Sequence, residues 1–232
     1  MMLQLIDKKL KLFFYLVVFL LLSTQITKNK NVNNNFNISL EKIEVTGLSN
    51  KNNLKVYKSL KFLLTENIFF IDKSDFYNVL KKNNLIEYFY IKKIYPDLIK
   101  IIIKQTDFLA KTTKNNKIFY IGSNGKLIHT SQIDSFNNKL PFVYTKGNYI
   151  DFIKLKKIID KSKFQFDAIE SFYYFPSNRW DIKTKDGFLI KLPEENISES
   201  LQFAESIIKD KKFKDKKIID LRISNNIILS DE

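Results

Sequence analysis

A chain of 232 residues that is 44% hydrophobic, with 21 Phe and 11 Tyr, can bury the core of one domain or two small ones, which argues against disorder over most of its length. The absence of Cys removes disulfides, thiol catalysis and thiolate metal sites, and a single His, His129, leaves no His-based metal cluster. A formal charge of +14 invites phosphate partners, but of 39 basic residues only Arg179 and Arg222 are Arg and the Lys are scattered along the chain, so no nucleic-acid reading head is expected.

Residues 8 to 26 read KKLKLFFYLVVFLLLSTQI, a basic start followed by an unbroken apolar run from Leu12 to Leu22. No small-x-small cleavage pattern follows Leu22, so a retained single transmembrane helix over 12–27 is predicted, not a cleaved signal peptide. Lys8, Lys9 and Lys11 keep the short tail, residues 1–11, in the cytoplasm and send the rest outside. The polar, Asn-rich stretch 28–37 reads as a linker.

Residues 38–105 carry the signals of a small α+β domain. Ile43 and Val45 alternate before Gly47, a strand closing into a turn. A helix with Asn53 as N-cap is predicted from Leu54, Tyr57, Leu60, Leu63 and Leu64, and a second, capped by Asp72 or Ser74, from Phe76, Val79 and Leu80. Two strands rich in Ile and Tyr follow, divided by the Pro96-Asp97 turn pair, which gives the order β-α-α-β-β.

Residues 106–232 read as a β-rich domain with two helices. Asn124-Gly125 predicts a two-residue hairpin turn pairing Ile121 with Ile128. At Lys185 to Gly187 a three-residue loop is the better register, because it pairs Ile182 with Ile190 and Trp180 with Leu192 and puts Gly187 in the left-handed conformation. Trp180 is then a core anchor, with Arg179 paired to a nearby carboxylate or carbonyl. Helices are expected around Phe152, Leu155, Ile158 and Ile159, and after Pro193, where Asn196 and Glu199 form a capping-box pair ahead of Leu201, Ala204 and Ile208. Glu194 and Glu195 complement that helix's dipole. The chain closes with a strand, an Asn225-Asn226 turn and a last strand of about five residues; at a sheet edge its unpaired N–H and C=O groups could accept another strand.

These segments together resemble the bacterial cell-division family FtsQ/DivIB. The resemblance rests on the apolar amino terminus, on IEVTGL and YPDLIKIIIKQ, similar to a polypeptide-transport-associated (POTRA) domain, on LPFVYTKGN at 140–148, and on RWDIKTKDGFLIKLPEE followed by IIDLRI. It implies an α+β chain with a single membrane helix, a POTRA domain and an FtsQ-type β domain, sitting in the inner membrane as a single-pass type II protein with its bulk in the periplasm at the septum. It also implies a non-enzymatic scaffold with no cofactor, bound through its POTRA domain to divisome components and through its last strand to an FtsB-like protein carrying an FtsL-like one. The docking residues would be Arg222, Ile223, Ser224, Asn225, Ile227, Ile228 and Leu229, with Gly47, Pro96, Trp180 and Gly187 structural. Two other readings compete: a POTRA-bearing accessory factor in protein export or outer-membrane assembly, which would be expected to carry several POTRA repeats or a barrel, and a secreted wall enzyme using Asp181 or Asp186.

Overall fold

Three strands whose buried side chains are all Ile build the first sheet of the computed structural model, which describes residues 8–24, 38–133, 139–145, 149–223 and 226–231. Strand β1 (Lys42–Thr46) runs parallel to β3 (Leu98–Gln105), and β2 (Ile86–Ile94) runs antiparallel to it, in the order β1-β3-β2. Ile43, Ile86, Ile99, Ile101 and Ile103 are the buried strand residues. Helices α2 (Asn50–Leu60) and α3 (Lys73–Leu80) contribute Val56 and Leu60, and Phe76 and Leu80, to the same core.

The buried stripe of α2 differs from the expected one: it runs through Asn52, Val56 and Leu60, while Leu54 is exposed. A polar residue hides this face in the sequence. Asn52 tolerates burial because its amide donates to Ser49 Oγ at 3.1 Å and to the Gln132 carbonyl at 2.8 Å. Ser49 holds the N-cap position, and Asn53 instead ties back Leu48, accepting from its N–H and donating to its carbonyl. At α3 the cap is Asp72, whose N–H donates to the Asp75 carboxylate at 2.7 Å.

The second sheet has nine strands in the order β12-β11-β10-β9-β8-β7-β4-β5-β6. These are β4 (Phe108–Lys114), β5 (Lys117–Gly122), β6 (Leu127–His129), β7 (Phe142–Tyr144), β8 (Ile169–Tyr174), β9 (Trp180–Thr184), β10 (Leu189–Lys191), β11 (Ile218–Asp220) and β12 (Ile228–Ser230). Helices α4 (Tyr149–Lys161) and α5 (Ile197–Lys209) cover one face, packing Phe152, Leu155 and Ile159, and Leu201, Ala204 and Ile207, against Val143, Phe172, Trp180, Ile182, Ile190 and Ile219. The short β7 joins the two halves of the sheet, parallel to both β4 and β8.

The β9–β10 hairpin has the three-residue loop: Thr184 N–H donates to Phe188 O, Ile182 faces Ile190, and Gly187 sits at φ +87°. The β5–β6 hairpin is a correction. It too has a three-residue loop, Ser123 to Gly125, with Gly122 N–H bonded to Lys126 O and Gly125 at φ +76°, so Ile121 pairs with Leu127 and Tyr120 with Ile128. The expected register failed because β5 is apolar on both faces: Ile121 joins the main core, while Tyr120 and Ile128 form a second cluster with Leu85. A second correction lies at α5. Asn196 adopts a left-handed conformation at φ +56°, and its side chain makes no capping bond.

Asn124, read in the sequence as a turn residue, links the two sheets. Its amide nitrogen donates to the carbonyls of Asn84 and Ile86, both at 3.0 Å, and Asn84 in turn donates to Leu127 O on β6 at 2.8 Å. Residues 39–232 accordingly form one compact unit.

Helix α1 (Lys8–Thr24) belongs to the other unit, residues 1–38. Its 17 residues rise roughly 25 Å, short of a hydrocarbon core about 30 Å thick. No helix among the described residues is long and apolar enough to cross a membrane, so the transmembrane helix expected over 12–27 is not met as such. Residues 25–27 of that expected span, and the linker 28–37, lie outside the described residues.

Candidate partner-binding edge

The nine-stranded sheet has two ends, and they differ chemically. At one end, β6 offers its Leu127 carbonyl to Asn84 and its Ile128 side chain to Leu85. At the other, β12 pairs antiparallel with β11 through Ile219 and Leu229, and no described strand pairs with its outer side. Alternation along β12 turns Leu229 onto the core and leaves Ile228 51% exposed. Ile223 and Ile227 are exposed as well, which makes the approach to this edge apolar. The strand has three residues where about five were expected. Ser224 and Asn225 of the expected docking set lie outside the described residues.

Beside this edge, a groove of about 620 Å³ separates the start of α5 from the segment after β11. Glu194, Glu195 and Phe203 line one wall, Arg222, Ile223 and Ile227 the other. The sequence explains the two carboxylates as partners of the helix dipole, and nothing in PEEN specifies their place on a groove wall. Arg222 is not a free cation here. Its Nε donates to both Asp220 oxygens, at 2.7 and 2.9 Å, and its Nη2 also contacts Oδ2. The Arg222 hydrogen bonds hold the Asp220 carboxyl below its ordinary range against the opposing effect of its burial. The alternation of a strand, which sets residues two apart on one face, was the available signal for this pair.

Gly47 and Pro96 lie in the first sheet, at the end of β1 and in the β2–β3 turn, and Trp180 and Gly187 in the β9–β10 hairpin. None lines the groove. The carboxylates weighed as wall-hydrolase groups are not brought together as a catalytic pair: Asp186 is exposed in its loop, and Asp181 is 5% exposed beside Arg179. Arg179 Nε is 3.4 Å from Asp181 Oδ1, close enough for an ion pair, yet neither atom has a hydrogen-bonded partner. His129 Nδ1 accepts from the Ser131 N–H, a local capping role. Among the described residues no group of three His, Asp or Glu could hold a metal ion.

Burial raises the Asp181 pKa despite the attraction of Arg179. The fold therefore prefers the protonated carboxyl: the unfavourable contribution is absent below the unfolded value of ~3.9 and fully present above the raised folded value. Asp181→Asn should accordingly melt above the parent at pH 7.5, with the gap closing as the pH falls toward 4. Paired melts across that range check it; a gap that widens on acidification overturns the assignment.

A family model described as cell division protein FtsQ/DivIB, C-terminal, matches residues 111–222, and one described as POTRA domain, FtsQ-type, matches residues 38–105. Relatives named cell division protein FtsQ include that of Rickettsia bellii, 28% identical over 80% of this chain and 70% of that protein, and that of Rickettsia felis, 26% identical over 92% and 80%. A solved extracytoplasmic domain of the trans isomer of DivIB from Geobacillus stearothermophilus is 13% identical, with a TM-score of 0.35 over 45% of this chain and 92% of that one. With FtsQ-type models matched in sequence order over both sheets, and with relatives of that name matched across both, this chain belongs to the FtsQ/DivIB family of cell division proteins.

Proposed function

We propose that this protein is a non-enzymatic, bitopic scaffold of the bacterial divisome, in the inner membrane at the septum, that receives a strand from an FtsB-like protein carrying an FtsL-like one. Residues 1–11 are the cytoplasmic tail, 12–27 the anchor, 28–37 the linker, 38–105 the POTRA domain through which other divisome components bind, and 106–232 the FtsQ-type β domain, with the bulk in the periplasm. The apolar run from Leu12 to Leu22 behind Lys8, Lys9 and Lys11 supports the anchor and its orientation.

The observation that carries the reading is the outer side of β12, which no strand among the described residues pairs, with Ile223, Ile227 and Ile228 exposed beside it. Main-chain hydrogen bonds from such an edge supply affinity, and the alternate side chains supply selectivity. Arg222, Ile223, Ser224, Asn225, Ile227, Ile228 and Leu229 are the proposed docking residues, with Arg222 acting through its hold on Asp220.

The test is capture of the FtsB-like and FtsL-like pair by the full chain from detergent-solubilised membranes. Ile228→Pro, which removes a backbone donor, and Ile228→Lys, which keeps it but charges the exposed side chain, should each cut capture by about tenfold or more, the equivalent of at least ~1.4 kcal/mol. Their circular dichroism spectra should match the parent. Undiminished capture by both variants removes β12 as the docking strand, and capture of outer-membrane assembly proteins in place of the pair favours the export reading.

A further inference from the structure

The loop Asn67 to Ile71, sequence NIFFI, places its side chains against the usual sorting. Ile68 and Ile71 are buried, whereas Phe69 is half-exposed and Phe70 81% exposed. Burying a Phe side chain is normally among the larger apolar gains of folding. This loop forgoes that at two successive positions, and not for want of order. Asn67 Oδ1 accepts from the Phe69 N–H at 3.0 Å, the Phe70 N–H donates to Asn67 O at 2.9 Å, and Lys93 Nζ donates to Ile68 O at 2.7 Å. Exposed Tyr95, from the β2–β3 turn, stacks on Phe69 with ring centroids 5.0 Å apart. The result is a stapled aromatic tip.

Its place in the chain indicates the occupant. The compact unit begins at Ser39, and Ser39 bridges to Asn67, while Leu40 N–H donates to Glu66 O and Thr65 N–H to Leu40 O. The tip is thus a feature of this unit beside its entry from the apolar segment, and the residues between the anchor and the unit, 28–38, can span at most roughly 40 Å however they run. Of the three rings Tyr95 has the polar end that favours the headgroup level of a bilayer, Phe69 and Phe70 supply apolar area to bury at the boundary below it, and a chain with a formal charge of +14 is drawn to anionic lipid. Resting on the anchor reading above, we propose that Phe69, Phe70 and Tyr95 form a bilayer-contacting tip that seats the POTRA domain on the outer leaflet of the membrane holding residues 12–27.

The chain has no Cys, so a single introduced one can carry an environment-sensitive nitrobenzoxadiazole probe. Glu66→Cys, exposed immediately before the loop and outside the aromatic cluster, is compared with Lys185→Cys in the β9–β10 loop, with the full chain in phosphatidylethanolamine/phosphatidylglycerol vesicles containing doxyl-labelled lipid. In protein that floats with the vesicles, the probe at 66 should be quenched severalfold more than that at 185. Phe69→Ser with Phe70→Ser should abolish the difference at unchanged Tm. Equal quenching in floated protein overturns the tip while leaving the anchor standing, and points to a protein as its occupant. Quenching that survives the double Ser change overturns the role of the rings. Failure to float overturns the anchor and the tip together.

Discussion

Trp180→Ala is expected to destabilise the protein by about 3–5 kcal/mol, a fall in Tm of roughly 10 °C for a chain of this size. Trp180 is 4% exposed at the start of β9, and its carbonyl accepts from the Leu192 N–H at 3.0 Å. Its ring meets Tyr174 at 4.8 Å between centroids and Phe152 and Phe172 at 6.3 Å, the last at right angles. Ala would withdraw the ring from contact with α4 and β8 at once, and neither can collapse inward without moving the sheet. The rare Arg beside it is accounted for by the other face of the strand, where its guanidinium lies 4.5 Å over Phe175 and close to Asp181. Thermal melts should rank parent, Trp180→Phe and Trp180→Ala in falling order, since Phe keeps an aromatic contact. An Ala variant melting with the parent overturns the anchor role.

What the sequence made legible followed local rules. The first sheet was readable because Ile43 and Val45 alternate on β1, β2 and β3 are rich in Ile and Tyr, and Pro96 and Asp97 divide them, and α3 because Asp72 begins a strong cap. The loop at Lys185 to Gly187 emerged from asking which register keeps Ile182 and Ile190 on one face. The same question gave a wrong answer at Asn124-Gly125, because Tyr120 and Ile121 are both buried, in different clusters, and period-2 reasoning cannot choose between two apolar faces. Strand β7 is only three residues long, and its parallel partners β4 and β8 lie far from it in sequence, so neither pairing had a local signal.

At the candidate edge the division is similar. The position of the last strand and the apolar character of Ile227 and Ile228 can be read from their order in the chain. The commitment of Arg222 to Asp220 has only a weak local signal, two residues of opposite charge spaced two apart at the end of a strand. The groove between α5 and the segment after β11 depends on how a helix and a strand meet in space, which no spacing of PEEN or LRI specifies. The aromatic tip at Phe69 and Phe70 was illegible for the opposite reason. NIFFI reads as a core segment by composition, and only the hydrogen bonds to Asn67 and from Lys93 show which of its apolar residues are turned outward.

Gly47→Ala should be the most damaging single-methyl change in the first sheet. Gly47 follows β1 at φ +108°, where an L side chain is strained by about 1–3 kcal/mol before any contact is counted. A Cβ built there would lie 1.7 Å from the carbonyl oxygen of Ile103 and 2.7 Å from its carbonyl carbon. Those atoms cannot yield as a flexible side chain would, because β3 is the central strand, held by β1 on one side and β2 on the other. The methyl group can be accommodated only if the end of β1 moves off β3, loosening the pairing of Thr46 with Ile102 and exposing Ile101 and Ile103. A cost of about 3–5 kcal/mol is expected, in the range set by steric overlap in a core. Gly187→Ala is the control, since Gly187 shares a positive φ of +87° but has no atom within 4 Å of the added carbon, so it should lose only the backbone strain. Amide exchange over residues 42–46, measured beside the melts, should accelerate in Gly47→Ala and stay at the parent's rate in Gly187→Ala; equal effects of the two substitutions would mean that conformation alone, and not the approach of β3, is why residue 47 is Gly.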